Sequence, residues 1–143
     1  MIGKPVAWLV DGGKALTWEI RRQLAEQVSR EPGVRQFPPG TRHDVALVYP
    51  NTYQVRMSNL GLHILYQLVN REPDMACERF FLPDAALGKL YERSHTALLS
   101  LETQRPLHDF GVIGVALSFE LDYFNFLELL SLGKVPFLAA SRQ

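Results

Sequence analysis

Cysteine is almost absent: Cys77 is the single one in 143 residues. A lone thiol excludes an internal disulfide framework and any cluster site built on several cysteines of this chain. An excess of charge is also missing, because 15 Lys and Arg balance 15 Asp and Glu. A sequence-independent nucleic-acid binder needs a cationic surface that displaces counterions, so the balance argues against that class. Long apolar runs are lacking. The longest, around Gly111–Leu117 and Val135–Ala140, fall far short of the roughly 20 residues of a bilayer helix. Met1–Val10 carries only a short apolar run before Asp11-Gly12-Gly13, which is not the pattern of a signal peptide. A cytoplasmic location is the resulting expectation, with Cys77 a reduced, buried, unreactive thiol.

Glycine is missing where phosphate binding would need it. The loop after the first predicted strand, Tyr49–Ser58, has none. A dinucleotide or Walker-type loop requires glycines so that the backbone can approach the phosphates. The run Gly12-Gly13-Lys14 has the wrong glycine spacing and reads as a turn. The histidines, His43, His63, His95 and His108, are separated by 20, 32 and 13 positions, which matches no zinc pattern. His63 reads as a partly buried, hydrogen-bonded residue within a helix. His108 beside Asp109 reads as a solvated pair, and His43 and His95 as loop residues. Ser118 follows an apolar strand, but Leu117 and Phe119 flank it in place of the glycines of a nucleophile elbow. Its hydroxyl is expected to cap the next helix or touch a ligand.

What is present suits one folded domain: 47% of the residues are hydrophobic and 21% charged. Residues 1–40 read as an arm with one helix and a linker. Thr17 is expected to cap a helix to about Arg30, with Ile20, Leu24, Ala25 and Val28 on one face. Glu31-Pro32-Gly33 ends it, and Phe37-Pro38-Pro39-Gly40 is extended. Residues 41–143 read as an α/β domain. Asp44–Tyr49, Met75–Leu82, Ala97–Leu101, Gly111–Ser118 and Pro136–Ala140 are the expected strands. Helices are expected from Ser58 to about Asn70, over Ala85–Arg93, and over Glu120–Leu132 with Gly133 as a left-handed cap. Leu60, Leu62, Ile64, Leu65, Leu68 and Val69 cover most of the first of these, so heavy burial is expected.

Strands alternating with helices imply a parallel sheet with right-handed crossovers. The expected fold is a flavodoxin-like (Rossmann-like) three-layer α/β sheet. Ligands of such sheets bind beyond the carboxyl ends of the strands at the switch point of strand order, here the loops Pro50–Met57 and Ser118–Tyr123. An open sheet seldom ends on an apolar strand followed by three residues, so the domain is expected to be incomplete at its C-terminus. The helix Glu120–Leu132 leaves only Asp122, Asn125, Glu128 and Ser131 as a polar stripe. It is expected to be buried on more than one side, by the core alone or by the core together with a partner or flat apolar ligand.

Several stretches carry a family resemblance. They are Val45-Ala46-Leu47-Val48-Tyr49-Pro50-Asn51-Thr52-Tyr53 with Met57-Ser58-Asn59-Leu60-Gly61-Leu62, then Cys77–Asp84, Ser100–Leu107 and Phe110–Leu121. Together, over residues 42–140, they resemble the N-terminal region of a family of radical S-adenosylmethionine proteins, in which a cobalamin-binding-like domain precedes the radical domain. The resemblance does not extend to residues 1–40. It implies a binding role: holding a corrinoid, or positioning substrate beside the radical domain. The alternative is a degenerate, cofactor-free fold that acts as an interaction module. The radical domain's 4Fe–4S cluster rests on three cysteines spaced CxxxCxxC. The resemblance therefore assigns the cluster and S-adenosylmethionine to that domain, leaving this chain non-catalytic by itself. The loop 50–57 also lacks the DxHxxG motif of cobalamin domains, so a bound cobalamin would receive no histidine from it. The corrinoid contacts the resemblance implies are Asn51, Thr52, Tyr53, Met57, Ser58 and Asn59, faced by Ser118, Glu120 and Tyr123. The implied partner is a C-terminal radical domain of the same protein, with self-association of the chain when that partner is absent.

Overall fold

A computed structural model describes residues 7–56 and 59–142. In chain order its elements are α1 (Ala7–Arg30), β1 (His43–Tyr49), α2 (Tyr53–Arg56), α3 (Leu60–Arg71), β2 (Met75–Phe81), α4 (Ala85–Ser94), β3 (Val112–Val115) and α5 (Leu121–Leu132). Single 3-10 turns lie at Leu107–Asp109 and Ala139–Ser141.

The strands form an open parallel sheet in the order β2-β1-β3. β1 is central, and its apolar side chains fill both faces. Ala46 and Val48 pack with Phe80 on one face, and Leu47 and Tyr49 with Cys77 on the other. Ile20 and Leu24 of α1, Leu87 and Tyr91 of α4 and Leu129 of α5 cover the first face. Leu62 and Tyr66 of α3 cover the second. The result is an α/β arrangement with helices on both sides of the sheet, the general class expected.

The two outer strands are treated differently. In a parallel ladder alternate residues point their backbone groups at one neighbour or the other. On β2 the outward residues are Cys77 and Arg79, and both are satisfied. The Asn70 side chain donates to the Cys77 carbonyl at 3.2 Å and accepts its N–H at 2.8 Å, standing in for a neighbouring strand. Glu102 accepts the Arg79 N–H at 2.7 Å, and the Leu101 N–H donates to the Arg79 carbonyl at 2.8 Å. This edge is closed to further pairing. β3 forms the opposite edge and, among the described residues, pairs with β1 alone.

Five local expectations are corrected. α1 does not begin at Thr17: it runs through Gly12 and Gly13, and the Thr17 hydroxyl donates to the Gly13 carbonyl at 2.9 Å within the helix. Glycine weakens a helix by only about 1 kcal/mol, which packing of Ile20 and Leu24 against the core offsets. The earlier part of the expected apolar run, Pro5 and Val6, lies outside the described residues. α3 buries only Leu62, Tyr66 and Asn70, while Leu60, Ile64, Leu65 and Leu68 are exposed. One helix on that face leaves its outward side uncovered.

Residues 97–101 are buried but form only a single bridge, Leu99 to Pro106, because they cross the β2 edge instead of extending the sheet. Gly133 is helical (φ −75°), and Lys134 takes the left-handed conformation (φ 56°). Gly133 is required for another reason: a Cβ there would lie 2.5 Å from Leu107 Cδ2. Pro136–Ala140 is not a strand. The chain curls into the Ala139–Ser141 turn, with Arg142 bonded to the carbonyls of Pro136 and Phe137.

Candidate functional site

At the carboxyl edge of the sheet, the loops after β1 and β3 lead into the starts of α3 and α5. Asn59 is the N-cap of α3, its side-chain oxygen accepting the Leu62 N–H at 3.3 Å. At the start of α5, buried Asp122 accepts the N–H groups of Ser118 and Phe119 at 2.8 and 2.9 Å. α3 leaves this edge on the Leu47 face and α5 on the Val48 face. Helices departing on opposite faces on either side of one strand mark the switch point at which open α/β sheets place ligands. Asn125 of α5 ties the two loops together by donating to the Pro50 carbonyl at 3.0 Å.

The expected site residues divide accordingly. Asn51 and Thr52 are half-buried in the loop after β1, and the Asn51 side chain accepts the Thr52 N–H at 3.2 Å. Tyr53 begins α2 but turns toward α1: its hydroxyl donates to Glu31 at 3.1 Å, and its ring packs edge-on against Phe81 at 5.4 Å. Burial and the Glu31 carboxylate push its phenol up to about 12. Met57 and Ser58 lie outside the described residues. Asn59 serves as a cap. Ser118, Glu120 and Tyr123 are exposed. Ser118 does not cap α5; Asp122 reaches back to its backbone instead.

The edge is ringed by exposed apolar side chains. Leu60 at the start of α3 is 70% exposed, and Leu117, Phe119 and Leu121 precede or open α5. Tyr123, Phe124 and Leu127 continue this surface along the outward side of α5, and Phe124 is 72% exposed. The core takes Leu129 and Leu130, so the folded chain covers only part of α5's apolar surface.

A second constellation was not read from the sequence. Arg79, Glu102 and Glu31 form a buried node joining β2, the segment after Leu101 and the end of α1. Arg79 Nε donates to Glu102 at 2.6 Å, its Nη1 donates to Glu31, and its guanidinium stacks 4.3 Å above the Tyr66 ring. The Tyr66 hydroxyl holds both the N–H and the carbonyl of Arg35, and Gln36 donates to the Glu102 carbonyl. Glu78 beside it accepts from the Thr103 hydroxyl at 2.8 Å. One cation faces two carboxylates. Burial pushes the Glu102 carboxyl up to about 7 against the pull of Arg79. Burial disfavours the Arg79 charge as well, but the carboxylates outweigh it and hold the guanidinium ionised. The available signal was a charged pair, Glu78-Arg79, inside an otherwise apolar strand.

Among the described residues no group of three or more His, Cys, Asp or Glu side chains is placed to hold a metal ion. Cys77 is buried, and desolvation pushes its thiol up to about 12. His63 is half-buried in α3. His108 lies 3.6 Å from Asp109 in a largely exposed pair, with its other ring nitrogen 3.2 Å from the Gly133 carbonyl.

The fold is an open parallel α/β sheet with helices on both faces and its switch-point loops gathered at one edge. Residues 61–143, more than half of the chain, match the family model of radical SAM proteins, N-terminal, and the chain belongs to that family. β1 and the loop after it precede the matched region, whereas Ser118, Glu120 and Tyr123 fall within it. No curated protein and no solved structure matches the chain. No helix among the described residues is long and apolar enough to cross a membrane.

Proposed function

We propose that the chain is a positioning domain which presents the carboxyl edge of its sheet and the outward side of α5 to the radical SAM domain of the same protein. The observation that carries this reading is the exposed apolar surface of Phe119, Tyr123, Phe124 and Leu127, continuous with the rim of the switch-point edge. Aromatic residues grouped on one surface are typical anchors of a domain interface. The iron–sulfur cluster and S-adenosylmethionine then belong to the partner domain, because Cys77 alone cannot hold a cluster.

A corrinoid at the same edge is the second reading, favoured by the adjacency of the two switch-point loops through Asn125 and Pro50. None of the four histidines lies in either loop, so the residues present fit contacts to a corrinoid's periphery and not a ligand to cobalt. Those contacts would fall to Thr52, Ser118, Glu120 and Tyr123, since Asn51, Tyr53 and Asn59 already bond within the chain. A flavodoxin-like fold of the cobalamin-binding type belongs to this second reading.

Isothermal titration of this chain with the separately produced radical SAM domain tests the first reading. Phe124→Asp is expected to weaken binding at least ten-fold without lowering Tm, because Phe124 lies outside the core. Unchanged affinity would contradict the reading. A visible-absorption titration with hydroxocobalamin tests the second. A saturable shift weakened by Ser118→Trp supports it, and no shift with the two domains joined removes it.

A further inference from the structure

We propose that Glu31 is a releasable latch: the Arg79 node fastens it between the end of α1 and Tyr53 of α2, and ionisation of Glu102 sets it free. This does not depend on what docks at the carboxyl edge. One carboxylate makes both ties. Its Oε1 accepts from Arg79 Nη1, and its Oε2 accepts from the Tyr53 hydroxyl at 3.1 Å. The linker that follows is fastened to the same node. Tyr66, whose ring lies under Arg79, holds both backbone groups of Arg35, and Gln36 donates to the Glu102 carbonyl.

The node holds more carboxylate than cation. The charged and titratable groups around Glu102 are Arg79, Glu78 and Cys77 of β2, Glu31 after α1, Tyr53 of α2 and Tyr66 of α3. Arg79 is the single cation among these residues. With Glu102 protonated, Arg79 and Glu31 form a neutral pair. With Glu102 ionised, two buried carboxylates compete for one guanidinium, and Glu78 adds to the repulsion. The carboxylate nearer water relieves it. Glu102 has a side chain with no exposure and accepts the Arg79 N–H at 2.7 Å and Nε at 2.6 Å. Glu31 stands at a helix end before Pro32-Gly33, with its side chain 7% exposed, so Glu31 is the one that leaves. Arg79 Nη2 is buried and, among the described residues, has no hydrogen-bond partner. Water admitted by the departure of Glu31 meets that donor, which offsets part of the lost bond.

Release reaches the carboxyl edge through Tyr53. This residue follows Asn51 and Thr52 at the start of α2 and is drawn toward α1 by Glu31. Once Glu31 has gone, the Tyr53 hydroxyl loses its acceptor beside the switch-point loop. Ile20 and Leu24 stay in the core, so α1 remains docked while residues 31–36 loosen. The direction with pH follows from linkage. Burial holds the latched Glu102 up at about 7, and opening lowers that value, so rising pH weakens the latch until Glu102 is fully ionised. The latch is tight at pH 5 and loose at pH 8.

The test is NMR on the 143-residue chain at pH 5 and pH 8. It follows NOEs between the Tyr53 ring and the Glu31 side chain, together with the carbon-13 shift of the Glu102 carboxyl. The Tyr53–Glu31 NOEs are expected to fall at least five-fold at pH 8, while those between Val48 and Phe80 in the core persist. Glu31→Gln removes the competing charge and keeps the side chain's shape, and it is expected to give the same NOEs at both pH values. Full Tyr53–Glu31 NOEs at pH 8 with Glu102 ionised overturn the latch. So does a Glu102 carboxyl that does not titrate between pH 5 and pH 8, or an equal loss of NOEs with pH in the variant.

Discussion

At the residue scale, Arg79 links the end of α1 to the sheet, and removing it isolates two buried carboxylates. Arg79→Met is expected to lower stability by about 3–5 kcal/mol at neutral pH, as loss of one member of a buried pair does, measured by urea unfolding. The pH dependence has a definite sign. Glu102 sits above its ordinary value of 4.5, near 7. Between those values the folded chain holds a proton that the unfolded chain has released, so stability falls as pH rises through that window. Without Arg79 the window extends upward, so the variant is expected to be less impaired at pH 5 than at pH 8. An equal loss at both would contradict the role given to Glu102. Cys77 supplies a separate check: with its thiol pushed up to about 12 by burial, it should resist a disulfide reagent at pH 8 until the chain is unfolded. The burial of Cys77 matches the sequence expectation, in which a lone cysteine reads as a reduced, buried thiol. The Arg79–Glu102 pairing was not, because a contact across 23 positions leaves no local periodicity.

At the scale of elements, β1, β2 and α4 lie within a residue or two of where the sequence places them. Failures arose where tertiary packing overrode local signals. Two glycines do not break α1, and Gly133 serves close contact and not a left-handed turn. These give opposite expectations for the same substitution. A Cβ at Gly13 meets nothing within 4 Å, so Gly13→Ala should stabilise by about 0.5–1 kcal/mol. At Gly133 the added carbon collides with Leu107, and Gly133→Ala should destabilise by about 1–3 kcal/mol. Thermal denaturation of the two variants distinguishes them, and a shift of the same sign in both would contradict the account. The strand expected over 97–101 failed for a related reason: its apolar residues are buried, but at the β2 edge it crosses, the Asn70 and Glu102 side chains bond Cys77 and the Arg79 N–H, leaving the Arg79 carbonyl for the Leu101 N–H.

At the scale of the whole molecule, the parallel sheet and the gathering of its loops at one edge follow from strand–helix alternation, and that much was readable. The division of the proposed binding residues was not. Asn51, Tyr53 and Asn59 have the composition of a ligand loop, yet each is engaged within the chain, as a turn, a tether to α1 and a helix cap. Conversely, α5 looked in sequence like a helix buried on more than one side, and the chain covers only one of them. That uncovered surface is the proposed interface with the radical SAM domain. Comparing hydrogen exchange of this chain alone and joined to its radical SAM domain tests it most directly. Slowed exchange concentrated in residues 117–128 is the predicted result. Unchanged exchange there, with protection elsewhere on the molecule, would contradict it.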